Sequence, residues 1–142
     1  MQTKAEKADG LYMRFAVEAA KQSYAIRSKV GCVVVKDDRV LSIGYNGTPP
    51  GFPNECEKDG VTIPEVIHAE QNAIYKMARD GAVAKDSTIY VTLSPCYECA
   101  KAIVTSGIKR LVYLEAYRDL RPVEFLQDRG VEVVNISLDN KE

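Results

Sequence analysis

The alternation of apolar and polar positions divides this chain of 142 residues into nine predicted elements. In ADGLYMRFAVEAAKQSY, Leu11, Phe15 and Ala19 recur at helical spacing, with Met13 and Val17 widening the stripe. That pattern predicts a first helix beginning near Asp9. KVGCVVVKDDRVLSIGYN then reads as two β-branched runs around the turn Lys36-Asp37-Asp38-Arg39, which predicts a hairpin. From Gly47 to Ile67 the chain is rich in Gly and Pro and shows no sustained period. A loop of that length inside a compact domain is usually functional.

Periodicity returns at His68–Asp80, where Ala69, Ala73, Ile74 and Met77 mark a helix that stops at Gly81. STIYVTL is a short apolar strand. After it, Ser94 as N-cap and Pro95 at the first helical position predict a helix through Thr105 that ends at Gly107. RLVYLEAY predicts a buried strand, PVEFLQDRG a short helix stopped by Gly130, and VEVVNI a last strand. The order α-β-β-α-β-α-β-α-β implies an α/β fold of three layers, α/β/α, around a five-stranded mixed sheet. Its last three strands, separated by helices, should run parallel. With no repeat and no low-complexity tract, residues 1–142 read as a single domain.

Composition narrows the classes. An apolar share of 46% and a charged share of 27% belong to a globular chain rather than a disordered one. The formal net charge of −1 gives no general attraction for polyanions, so nucleic acid is not an expected partner. MQTKAEKADG is charged without an apolar core, unlike a secretory leader. The longest apolar runs, such as VGCVVV, are too short to span a bilayer. Four cysteines are too few for a disulfide scaffold, which points to a reduced, cytoplasmic protein.

The chemistry concentrates in two stretches, EVIHAEQNAIYKMA and SPCYECAKAIV, which hold the only histidine and two of the four cysteines. Both lie at predicted helix starts, where unpaired N–H groups and partial positive charge favour thiolate, the metal-binding form. Cys96 and Cys99, three apart, share a helix face. His68 can supply a third ligand if the two helix starts meet. Three protein ligands with an open fourth position describe a catalytic zinc, and they place Glu70 beside the water rather than on the metal. Taken alone, Cys-x-x-C also suits a redox pair or half of a zinc knuckle. Cys32, inside an apolar strand, reads as a core residue, which leaves Cys56 as the one rival ligand.

H-x-E followed by P-C-x-x-C is the signature of the zinc deaminases, and here both halves are intact as HAE at 68–70 and PCYEC at 95–99. GYNGTPPGF at 44–52, RSKVGCVVVKDDRVLSIGYNG, IHAEQNAI and TLSPCYECAKAIVTSGIKRLVYLEAYRD extend the likeness. From about Tyr12 to Val134 the chain resembles the deoxycytidylate deaminase family. The resemblance implies a cytidine-deaminase-like fold and the reaction dCMP + water → dUMP + ammonia, which supplies dUMP for thymidylate synthesis. It implies zinc on His68, Cys96 and Cys99, with Glu70 as the proton shuttle. It also implies that the Ala69 N–H holds the ring carbonyl, that the Ser94 carbonyl receives the amine, and that Asn46 contacts sugar and base.

A phosphate clamp of Arg27, Tyr117 and Arg118 follows from the same likeness. The family is commonly a homo-hexamer, activated by dCTP with Mg2+ and inhibited by dTTP. By position, Lys29, Gly47, Gly51, Phe52, Glu55 and Arg79 are the effector candidates. Some members hold a second zinc; here Ala25 stands two before Arg27 and no second histidine exists, so one zinc per chain is expected. Two rivals remain. One is another zinc deaminase, acting on free cytidine, guanine or tRNA adenosine. The other is a non-catalytic zinc- or nucleotide-binding domain, for which Glu70 would have no use.

Overall fold

The computed structural model describes residues 1–138; residues 139–142, included in the single-domain expectation, lie outside the described residues. Four helices, α1 (Lys4–Ala20), α2 (Ala69–Asp80), α3 (Tyr97–Thr105) and α4 (Arg121–Asp128), surround strands β1 (Gly31–Lys36), β2 (Arg39–Tyr45), β5 (Thr88–Leu93), β6 (Arg110–Glu115) and β7 (Glu132–Asn135). A small ribbon of β3 (Glu57–Lys58) and β4 (Val61–Thr62) stands apart. The main sheet has the order β2-β1-β5-β6-β7. β1 pairs antiparallel with both β2 and β5, while β5-β6-β7 are parallel, giving the mixed five-stranded sheet the pattern predicts.

Alternation along the strands separates two cores. Val33, Val35, Tyr90 and Val112 face α1, while Cys32, Val34, Ile89, Val91 and Leu111 face the layer built by the other helices. The β1–β2 turn is made by Asp37 and Asp38 at φ 51° and 59°. Asp tolerates this left-handed pair, whose twist suits a two-residue hairpin loop. Two glycines near the opposite end of that hairpin set the layer spacing. A Cβ at Gly31 would lie 2.1 Å from the Ala16 carbonyl oxygen of α1, and one at Gly44 would lie 2.2 Å from the Ala69 carbonyl oxygen of α2. Each helix therefore rests directly on strand backbone.

Three sequence expectations are corrected. α1 begins at Lys4, capped by Thr3: its hydroxyl accepts from the Glu6 N–H at 3.0 Å, and the Glu6 carboxylate accepts from the Thr3 N–H at 2.8 Å. Asp9 is no cap. It is buried, takes both ends of the Arg110 guanidinium at 2.8 and 2.7 Å, and accepts from the Tyr90 hydroxyl at 2.7 Å. Leu11 and Phe15 remain 43% and 41% exposed, whereas Tyr12, Met13, Ala16, Ala19 and Ala20 form the buried face. The loop from Gly47 to Ile67 is also less irregular than it reads. A Gly47–Ile67 bridge closes it, and the β3–β4 ribbon turns on Asp59 and Gly60 at φ 54° and 76°.

Candidate active site

The starts of α2 and α3 meet. His68 is the N-cap of α2, and the Gln71 side chain accepts from its N–H at 3.0 Å. Cys96, not Ser94, is the N-cap of α3. Ser94 continues the strand instead: its N–H donates to the Glu115 carbonyl at 2.9 Å, and its hydroxyl accepts from the Tyr117 N–H at 2.7 Å. With its hydroxyl committed across the sheet, Ser94 cannot cap a helix. Cys96 and Cys99, at the N-cap and third positions of α3, still turn their sulfurs to one point.

His68 Nδ1 lies 3.4 Å from Cys96 Sγ and 3.3 Å from Cys99 Sγ, and the three ligand atoms all fall within 4.8 Å of one another. A tetrahedral zinc bound at about 2.3 Å to sulfur and about 2.05 Å to nitrogen places such atoms roughly 3.6 Å apart. The donor set and its spacing fit zinc. Cys56 is buried and stands outside this group, which is the only such cluster among the described residues. All four cysteines are free.

Protonation agrees with the geometry. Hydrogen bonding from Cys99, opposed by burial and helped by His68, holds the Cys96 thiol down at about 3. Cys99, which keeps the proton it shares with Cys96 and is largely buried, is pushed far up. The bond to Cys96 raises His68, against the effect of burial. Because metal ligands bind in their deprotonated forms, a divalent cation taken up here releases protons. Glu70, 4% exposed, is pushed up to about 7, chiefly by burial, with its own helix N–H opposing. A carboxyl poised there can both accept and return a proton near neutrality.

A cavity of about 350 Å3 is lined by His68, Ala69, Glu70 and Cys96. The same cavity is lined by Arg27, Asn46, Ser94 and Tyr117. Asn46 Nδ2 donates to the Ser28 carbonyl at 2.8 Å and Oδ1 accepts from the Val30 N–H at 2.9 Å, which leaves one N–H and one lone pair for a ligand. Arg118 is not on the lining; its guanidinium sits 5.5 Å over the Tyr117 ring. A neighbouring cavity of about 280 Å3 gathers Gly47, Gly51 and Phe52, but not Lys29, Glu55 or Arg79. Arg79 is paired with Asp80 at 2.8 Å, and Lys76 is the cation on that second lining. Lys76 lies one helical turn past Asn72, whose Nδ2 donates to the Tyr45 carbonyl at 2.9 Å, a placement that only the fold reveals. Glu57 and Thr62 reach the first lining through the ribbon turned on Asp59-Gly60, a dipeptide that is itself a hairpin signal. A larger recess of about 660 Å3, beside the N-terminal half of α1, carries none of the motif residues.

A sheet of this order with a His-Cys-Cys cluster and a buried Glu at facing helix starts defines a zinc-binding deaminase, and residues 6–115 match the cytidine and deoxycytidylate deaminase zinc-binding region; the chain belongs to that family. Its relatives narrow the class further. The deoxycytidylate deaminase of Enterobacteria phage T4 is 35% identical over 90% of this chain and 89% of its own length. That of Saccharomyces cerevisiae is 34% identical over 91% of this chain, which spans 45% of the yeast protein. Among solved structures, the dCMP deaminase of cyanophage S-TIM5 in complex with dCMP and dUMP superposes with a TM-score of 0.88, at 40% identity over 96% of this chain and 99% of the other.

Proposed function

We propose that the protein hydrolyses dCMP to dUMP and ammonia. The observation that carries this reading is that one cavity joins the zinc-type cluster and Glu70 to Arg27 and Asn46, a reactive centre with a cation on the same lining. When bound by His68, Cys96 and Cys99, one zinc ion per chain supplies activation of water at neutral pH. Glu70 takes a proton from the water whose oxygen bonds to C4 of the cytosine ring. It delivers that proton to N3, then takes the second proton from the new C4 hydroxyl and passes it to the amine, so that the C4 carbonyl forms as the C4–N bond breaks and ammonia leaves. The Ala69 N–H, at the first turn of α2 where N–H groups lack intrahelical partners, holds the ring carbonyl. The Ser94 carbonyl accepts from the amine, and Asn46 contacts the sugar. Arg27 and Tyr117 grip the phosphate, with Arg118 stacked on Tyr117 at the rim.

The expected effectors, dCTP with Mg2+ and dTTP, suit the cavity at Gly47, Gly51 and Phe52. Its loop begins beside Asn46, so an effector there reaches a substrate ligand directly, and it can shift activity only by binding two arrangements unequally. A cytoplasmic homo-hexamer in nucleotide biosynthesis accords with this reading, and no described helix is long and apolar enough to cross a membrane.

The test is loss of cytosine absorbance with dCMP, CMP, deoxycytidine and dCTP offered separately. dCMP should be turned over with the highest kcat/KM, and deoxycytidine should suffer mainly in KM. Equal turnover of deoxycytidine and dCMP would remove the phosphate from the proposal; activity on none of the four would remove the reaction.

A further inference from the structure

The segment that carries Arg27, residues 23–30, belongs to no helix or strand, yet phosphate recognition requires its cation to be held in one place. Its backbone is tied down from outside. Asn46 holds Ser28 and Val30, as described above. The other tie comes from the ribbon: a single oxygen of Glu57, Oε2, accepts from the Ile26 N–H at 2.9 Å and the Arg27 N–H at 3.1 Å. These partners are 31 and 30 residues away in sequence. On the facing ribbon strand, the Thr62 hydroxyl meets Arg27 Nη1 at 3.5 Å. Glu57 and Thr62 both line the cavity that holds His68 and Glu70.

We infer that Glu57 is a positioning residue for phosphate recognition, acting through Arg27, and that the β3–β4 ribbon exists to present it. This rests on the proposed phosphate role of Arg27. The charge arrangement explains why an acid can line a phosphate site. Glu57 directs its charge to backbone N–H groups, the strong kind of hydrogen bond. Among the described residues no carboxylate lies within 4.0 Å of the Arg27 guanidinium, so its charge stays available to a ligand. A carboxylate paired directly with Arg27 would cancel that charge; a carboxylate on its backbone fixes the side chain's origin and leaves the fork free. It also places one negative charge at this end of the cavity.

The experiment measures binding of dUMP and of deoxyuridine to the zinc-loaded full chain by calorimetry, which needs no turnover, alongside dCMP kinetics. Glu57→Ala should weaken dUMP about tenfold, the equivalent of one charged hydrogen bond, and should leave deoxyuridine affinity within about twofold. KM for dCMP should rise by the same factor with kcat nearly constant. Glu57→Gln, whose amide oxygen can still accept from both N–H groups, should recover most of the loss. The double variant Arg27→Ala/Glu57→Ala should bind dUMP no worse than Arg27→Ala alone, because one acts through the other. Additive losses, equal losses for dUMP and deoxyuridine, or no loss in Glu57→Ala each overturn the inference. A wild-type protein that binds dUMP no better than deoxyuridine overturns it together with the phosphate reading. Preferential dUMP binding without dCMP turnover leaves Glu57 in place and removes only the proposed reaction.

Discussion

Replacing Gly44 by Ala should damage catalysis from the far side of α2. The added Cβ would lie 2.2 Å from the Ala69 carbonyl oxygen and 2.8 Å from the Ala73 nitrogen, both backbone atoms that cannot rotate away. Real Cβ contacts essentially never fall under 3.0 Å, so β2 and the first turn of α2 must separate by at least about 0.8 Å. That turn carries the Ala69 N–H and Glu70 and is capped by His68. Cys32, on the strand beneath, donates to the same Ala69 carbonyl at 3.1 Å, and this bond must stretch as well. Misplacement of reacting groups by about 1 Å costs on the order of a hundredfold in rate. Forcing a methyl into a packed interface costs about 1–3 kcal/mol of stability. The assay is kcat for dCMP at matched zinc content, with a thermal melt in parallel. A zinc-replete Gly44→Ala enzyme whose kcat stays within twofold of wild type would refute the claim that Gly44 sets the position of Glu70.

Gly10→Ala is the matched contrast: its Cβ would meet only the flexible Arg14 side chain, at 3.6 Å, inside a helix. It should stabilise the fold by up to about 1 kcal/mol, seen as a Tm rise of about 3 °C; a lower Tm would contradict the packing described. Glu70→Ala should retain zinc in metal analysis, since it is no ligand, yet lose nearly all turnover. Substantial activity in zinc-replete protein would place the proton shuttle elsewhere. Asp9→Asn should cost about 3 kcal/mol near neutral pH by removing the buried charge partner of Arg110, which keeps only the exposed Glu132 at 3.3 Å. Burial raises the Asp9 carboxyl, but hydrogen bonds from Arg110 and Tyr90 outweigh it and hold it below its usual range. A depressed carboxyl stabilises above its unfolded value and loses that contribution on acidification. The Tm gap between wild type and Asp9→Asn should therefore close below about pH 4, and a gap unchanged from pH 7 to 3 would rule the ion pair out as its source.

Features encoded within a few residues were legible in the sequence. HAE and PCYEC mark the candidates because helix starts and i, i+3 spacing are local, while the meeting of the two helix starts, which brings His68 to Cys96 and Cys99, is tertiary. The β1–β2 hairpin and the three parallel strands follow from runs of β-branched residues and the helices between them. Thr3 and Glu6 were equally local, a four-residue capping box that only the later apolar stripe obscured. Tertiary structure alone decided the rest, because it depends on partners far along the chain. Asp9 becomes an ion-pair anchor through Arg110, 101 residues away, and Ser94 leaves its capping role for Tyr117. The buried face of α1 was set by which side meets β1 and β5, so Tyr12 went inward and Phe15 outward although both are apolar. Glu57 looks like one more surface acid until the fold carries its ribbon to the Arg27 backbone. Periodicity reports which residues prefer to avoid water; it carries no term for a hydrogen bond whose two ends meet only after the chain has folded.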